Sequence, residues 1–170
     1  MMFAASTRAA DEPLASEYQV KAAFLINFPK YVEWPDNTFT NISSPFVIGV
    51  LGETKVTDEL QKIITGRMVN DRGFVLKHLN SIEEAGGCHI LFIAADQQQR
   101  TPDFLAKLKN TGVLTVGESD DFLNNGGIIN LARRDRKIAL EVNLGAAANA
   151  QIKISSKLLS VASVVKGKSN

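Results

Sequence analysis

The run Ile90–Ala95, ILFIAA, is apolar at every position. A strand with one wet face alternates apolar and polar side chains. A strand with no polar position must be covered on both faces, as a central strand of a parallel sheet is when helices pack above and below it. Phe46–Leu51, FVIGVL, has the same character, and Val113–Val116 is a third short buried strand. Phe74–Leu79 sets Phe74, Leu76 and His78 on one face and Val75, Lys77 and Leu79 on the other. Strands of this kind need long crossovers, and the segments between them read as helices.

After the first strand, Gly52 and Thr54 make a turn, and Val56, Leu60, Ile63 and Ile64 then recur at helical spacing. Ser81–Gly87 predicts a short helical turn. Thr101-Pro102-Asp103 reads as a helix start, with Thr101 as cap, proline at the first position and an acid in the first turn. Phe104, Leu105 and Leu108 form its buried face, and Asn110 and Gly112 stop it. Gly117 to Asp121 should lead into a short helix carrying Phe122 and Leu123.

The C-terminal third changes pattern. Ile128–Ala132 and Lys137–Val142 are apolar-rich strands, the second alternating strictly. They flank Arg133-Arg134-Asp135-Arg136, which predicts an antiparallel hairpin with arginines at its tip. We expect the sheet to end on this hairpin. Leu144–Ala150 is Ala-rich and helical by propensity. Ser155 or Ser156 can cap a last helix that turns Leu158, Leu159, Ala162 and Val165 inward.

At the other end, Val20, Phe24, Phe28 and Tyr31 form a helical stripe over Glu17–Trp34, widened by Ala23 and Leu25. Pro29 should kink it or start a new turn, and Trp34-Pro35 should end it. Residues 1–13 resemble the end of an export leader around its cleavage site, and residues 14–168 are expected to form one domain, a size that buries a real core. The expected fold class is α/β: three layers, α/β/α, around a mostly parallel sheet with an antiparallel C-terminal hairpin. Ligands of such sheets gather at the C-terminal ends of the strands, here the loops near Gly52–Lys55, Ala95–Arg100 and Gly117–Asp120.

The formal net charge is +1, so no global field attracts nucleic acid, and no apolar run approaches the length of a membrane span. Gly49–Gly52 lacks the lysine of a P-loop and the third glycine of a dinucleotide fingerprint. His78 and His89 are the only histidines and have no ligand at metal spacing. No nucleophile elbow or zinc-protease motif is present, so we expect neither an enzyme nor a cofactor. The single cysteine, Cys88, permits no intramolecular disulfide. Arg133, Arg134 and Arg136 are the most suggestive cluster. Guanidinium forks suit a small anion or an acidic protein surface, and a solvated tip with Asp135 paired internally is the alternative. Asn27 and Trp34 are further candidates for ligand or partner contact. A satisfied polar group and a partly buried anchor are their structural readings.

Three stretches taken together resemble a known family. They are Tyr18–Pro35, YQVKAAFLINFPKYVEWP; Cys88–Ala94 with Val113–Phe122; and Gly126–Leu159 with its GGIIN, EVN and ISSKLL elements. In order and spacing they are similar to the YfiR family of bacterial periplasmic proteins. The resemblance implies an exported, non-enzymatic regulator that represses a membrane-bound diguanylate cyclase by engaging its periplasmic sensor part, lowering cyclic di-GMP and biofilm formation. It also implies a homodimer, and sequestration by an outer-membrane lipoprotein. Characterised relatives carry disulfides; with Cys88 alone, redox control through an intramolecular bond does not carry over. The alternative is a soluble periplasmic receptor for a small anionic or aromatic metabolite. The two are compatible if a ligand binds one state of the regulator better than another.

Overall fold

The computed structural model describes residues 12–167. The first eleven residues of the expected leader, and the last residue of the expected domain, lie outside them.

The architecture is mixed α/β. A seven-stranded sheet runs in the order β3-β2-β4-β5-β6-β7-β9, with a separate two-stranded sheet of β1 and β8. The four doubly apolar or alternating segments become β2 (Phe46–Leu51), β3 (Phe74–Leu79), β4 (Ile90–Ile93) and β5 (Leu114–Gly117), all mutually parallel with β6 (Ile129–Arg134). Ile90, Leu91, Phe92 and Ile93 are all buried, as an inner strand requires. Alternate residues feed two cores. Ile48, Val50, Ile90, Phe92, Leu114 and Val116 pack with Leu25 of α1 (Glu12–Asn27) and Val56 and Leu60 of α2 (Val56–Ile64). Leu51, Leu91 and Ile93 pack on the other face with Phe104 and Leu105 of α3 (Thr101–Leu108). The result is helix, sheet, helix.

The hairpin forms as expected, with Ile129 opposite Val142 and Arg134 opposite Lys137 of β7 (Lys137–Asn143). It does not end the sheet. β9 (Val164–Lys166) pairs with β7 in parallel and takes the edge. The expected last helix is therefore short: α5 spans Ser156–Ser160, capped by the Ser155 hydroxyl. The chain then leaves the helix at β-branched residues, and Ser163 N–H donates to the Leu140 carbonyl at 2.8 Å, which aligns Val164 and Val165 with the sheet. Val165 thus sits in a strand and not on a helix.

Other expectations change as well. The buried face of α1 is Lys21, Ala22, Leu25 and Ile26, one residue round from the predicted stripe, and Val20 is exposed. The helix ends at Asn27, short of Trp34, and Pro29 sits in a new 3-10 turn over Phe28–Lys30, one of the two outcomes expected of it. Val32–Glu33 is then a short strand, β1, pairing with β8 (Lys153–Ile154) just after α4 (Leu144–Asn149). Thr101 is already helical and its hydroxyl donates to the Gln97 carbonyl, because a 3-10 run over Ala95–Arg100 feeds α3. The segment after Gly117 is a chain of turns and not a helix. Phe122 is held over the sheet there, in a space that any side chain on Gly117 would occupy.

Candidate functional site

β2 is followed by α2 on one face of the sheet, and β4 by α3 on the other. The loops leaving these adjacent strands diverge, and a crevice opens at the C-terminal edge. It has a volume of about 640 Å³ and is lined by Glu53, Thr54 and Lys55 after β2, Ala95 and Asp96 after β4, Glu118 after β5, Arg133 of β6, and Glu17, Tyr18 and Lys21 of α1. The loops predicted to converge do converge.

The floor is a buried ion network. The Lys21 ammonium donates to Glu118 Oε1 at 2.6 Å and to Glu17 Oε1 at 3.0 Å, and the Lys21 side chain is only 4% exposed. Burial pushes the Lys21 pKa down, but the bonds and charges of Glu118 and Glu17 outweigh it, and the net displacement is upward. Glu118 Oε2 also accepts the Ala95 N–H at 2.9 Å. One carboxylate therefore ties the end of β5 to the loop after β4 and to α1. Asp96 performs a similar service for β2, accepting the Glu53 N–H at 3.0 Å. It can do so because residue 52 is glycine. Gly52 has a φ of +103°, and a Cβ there would lie 2.3 Å from Asp96 Oδ1. Above this floor the crevice is amphoteric. Glu53 is exposed, Lys55 lies 5.8 Å from the Tyr18 ring centre, and Arg133 stands 3.9 Å from Glu17 with half its side chain in solvent. Such a site can meet a carboxylate or an ammonium group without breaking its floor.

Neighbouring residues of a strand point to opposite faces, and this divides the arginines. Arg133 faces the crevice. Arg134 turns to the other face, 3.4 Å from Asp120 and 3.4 Å from Glu141, whose other oxygen accepts from the buried amide of Asn130 at 2.9 Å. Arg136 is exposed in the two-residue turn, with φ of 68° after Asp135 at 48°. These values make the tip a type I′ turn. The strands run closer to the tip than the sequence suggested, and Asp135 and Arg136 alone connect them.

Trp34 and Asn27 lie elsewhere. The Asn27 amide donates to the Ala23 carbonyl at 2.8 Å, and Asn27 borders a small cleft between α1 and α2. Trp34 belongs to an aromatic cluster at the N-terminal edge, with Phe46 at 5.7 Å and Phe39 and His89 each at 6.4 Å between ring centres. Its indole N–H is buried without a hydrogen-bond partner among the described residues. The crevice residues that sequence reasoning missed are Glu17, Tyr18 and Lys21 of α1; Glu118 lies in an expected loop, but its burial was not foreseen. A signal for Lys21 existed: it precedes Leu25 by four residues and Phe28 by seven, which puts a lysine in line with the buried stripe.

Among solved structures, the chain is similar to the ABC domain in complex with L-Trp from Streptococcus pneumonia, with 10% identity and a TM-score of 0.57. It is also similar to a conserved domain protein from Vibrio cholerae O1 biovar eltor, with 11% identity and a TM-score of 0.61. Each alignment covers 88% of this chain and 60% of the other, so this chain spans about three fifths of the length of those structures. At such identities the likeness is one of α/β fold. No curated protein matches the sequence significantly. A family model described as YfiR/HmsC-like matches residues 18–163, from the second turn of α1 to the approach of β9. The chain belongs to the YfiR/HmsC-like family, a regulatory and non-catalytic family of periplasmic proteins in cyclic di-GMP signalling.

Proposed function

We propose that this protein represses a membrane-bound diguanylate cyclase by binding the cyclase's periplasmic sensor part, and so lowers cyclic di-GMP and biofilm formation. The observation that carries this reading is the family relationship over residues 18–163. The docking surface we assign is the C-terminal edge, with Arg133 at the crevice mouth and Arg134 and Arg136 at the hairpin tip. Exposed guanidinium groups on a short rigid turn suit an acidic partner surface. Dimer formation and sequestration by an outer-membrane lipoprotein belong to the same reading. Deleting the gene in the native host should raise cyclic di-GMP, and the wild-type gene should restore it. A gene carrying Arg133→Ala and Arg136→Ala should restore it poorly while the purified variant stays folded. Unchanged cyclic di-GMP in the deletion strain would refute repression. Full capture of the cyclase's periplasmic part by the variant would refute the assignment of the tip.

A second reading, a receptor for a small anionic or aromatic metabolite, draws on the amphoteric crevice and on a fold neighbour that carries L-Trp. Calorimetry with L-tryptophan and with simple carboxylates tests it. Heat of binding that disappears in the Arg133→Ala variant supports it, and no heat from any of them counts against it. If a ligand binds, it tunes repression only through different affinities for the free and cyclase-bound states.

A further inference from the structure

The loop Asp36–Ser44 closes over the N-terminal edge of the sheet, and its attachment rests on two cationic or ionisable groups placed on the two sides of the Phe39 ring. His89 stacks on Phe39 with ring centres 4.5 Å apart and planes 19° from parallel. The Arg72 guanidinium lies 3.8 Å from the same ring centre. Arg72 is anchored independently, donating to the Asn41 and Ser44 carbonyls at 2.8 and 2.7 Å. His89 is anchored by its ring: Nδ1 accepts the Val47 N–H at 2.9 Å, while its own main-chain N–H donates to the Val47 carbonyl at 2.9 Å. This double clamp joins the start of β2 to the residue before β4.

A ring nitrogen that accepts a main-chain N–H must be unprotonated. In the imidazolium both nitrogens carry hydrogen, so Nδ1–H and Val47 N–H would point at each other with only 2.9 Å between the nitrogens. The charged ring also cannot relieve itself by moving toward Arg72. It has space on the other side: a cleft of about 840 Å³ is lined by the His89 side, Phe39, Cys88, Glu83 and Lys107. Of the ionisable groups there, Glu83 is paired with Lys107 at 2.9 Å, and the Cys88 thiol is held protonated by burial.

We propose that His89 is an acid-operated latch: protonation breaks its bond to the Val47 N–H, swings the imidazole off Phe39 toward the cleft, and loosens the start of β2 and the Phe39 ring, while the Asn41 and Ser44 carbonyls stay on Arg72. Burial, with Arg72 adding to it, holds the His89 pKa below its ordinary value of 6.5, so the latch stays shut at neutral pH and opens only in acid.

Nitrogen-detected NMR on the whole protein between pH 8 and pH 4 tests this without a variant. At pH 7.5, His89 should show the Nε2–H form with an accepting Nδ1. Its titration midpoint should fall below the ordinary histidine value of 6.5. Exchange of the Val47 amide, corrected for the intrinsic effect of pH, should accelerate about tenfold or more in step with that titration. The fluorescence of Trp34, whose ring centre is 6.4 Å from that of His89, should change at the same midpoint. In His89→Asn, which keeps a side-chain acceptor but cannot be charged, the fluorescence step should vanish; in His78→Asn it should remain. A Val47 amide that stays protected while His89 titrates overturns the proposal, and so does a fluorescence step that survives in His89→Asn.

Discussion

The two edges of the sheet are closed by different chemistry. At the C-terminal edge, Lys21, Glu17 and Glu118 hold α1 to the loops after β4 and β5 with charged groups nearly out of solvent. At the N-terminal edge, Trp34, Phe39, Phe46, Phe74 and His89 close the structure with ring contacts. One element serves both, since α1 begins at the ion network and its continuation delivers Trp34 to the ring cluster. Ring packing has preferred geometries but is mostly apolar burial, and it tolerates small shifts. A buried ion network is directional, and each member leaves an unpaired charge when a partner is lost. The charged edge should therefore be the brittle one, and it is also the edge where a ligand or partner can exchange contacts with the protein.

Removing Lys21 should break this comparison most severely. In Lys21→Ala, Glu118 loses its counter-charge and Glu17 keeps only the half-exposed Arg133 at 3.9 Å, and the loss should be about 3–5 kcal/mol, read from denaturant midpoints. Replacing all three by apolar or neutral residues, Lys21→Met with Glu17→Gln and Glu118→Gln, should recover much of it, because the penalty comes from unpaired charge and not from lost attraction. The pH dependence has a definite sign. The folded pKa of Lys21 is raised above its ordinary 10.5, so its contribution is fully present below that value and lost as pH rises through the folded pKa. Melting temperatures above pH 10 should fall more steeply for the wild type than for the neutral triple variant.

The aromatic edge should give a smaller effect. Phe39 is partly exposed but stacks on His89 and carries the Arg72 guanidinium. Truncating a fully buried phenylalanine costs about 3–5 kcal/mol, and Phe39→Ala should cost about 2 kcal/mol. That loss should be insensitive to salt between 0.1 and 1 M, whereas the half-exposed Arg133–Glu17 contact at the other edge should weaken. Trp34→Phe should be close to neutral, because the change removes a buried donor that has no partner among the described residues. A loss above about 2 kcal/mol in Trp34→Phe would mean that the indole N–H is satisfied, and the view that Trp34 contributes ring packing alone would fail.

The sequence carried the sheet because the parallel strands are continuous apolar runs, and burial on both faces leaves few other ways to use ILFIAA. It carried the hairpin because strict alternation over Lys137–Val142 is a local signal. It did not reveal β9, where three residues with one charge pair only through a distant strand, so no local pattern distinguishes them from the end of a helix. The position of the crevice was legible from the order of strands and helices. Its floor was not. Glu118 reads as a helix-start acid until Lys21, 97 residues away in sequence, supplies the reason it is buried. The arginine tip was visible as composition, but only the strand register separates Arg133 from Arg134.

The smallest expected effect lies at that tip and bears on what it is for. Arg136 occupies the second turn position with φ of 68°, where a side chain costs about 1 kcal/mol relative to glycine. Nothing in the packing compensates, since its side chain is exposed. Arg136→Gly should therefore stabilise the protein by about 0.5–1 kcal/mol, visible as a higher denaturant midpoint with an unchanged slope. If the tip meets an acidic partner, the same variant should capture less of the cyclase's periplasmic part, although it is the more stable protein. Arg136→Lys should keep the backbone strain and part of the binding. Opposite signs for stability and capture would mark Arg136 as strained for recognition, and equal capture by all three proteins would leave the crevice mouth at Arg133 as the contact that matters.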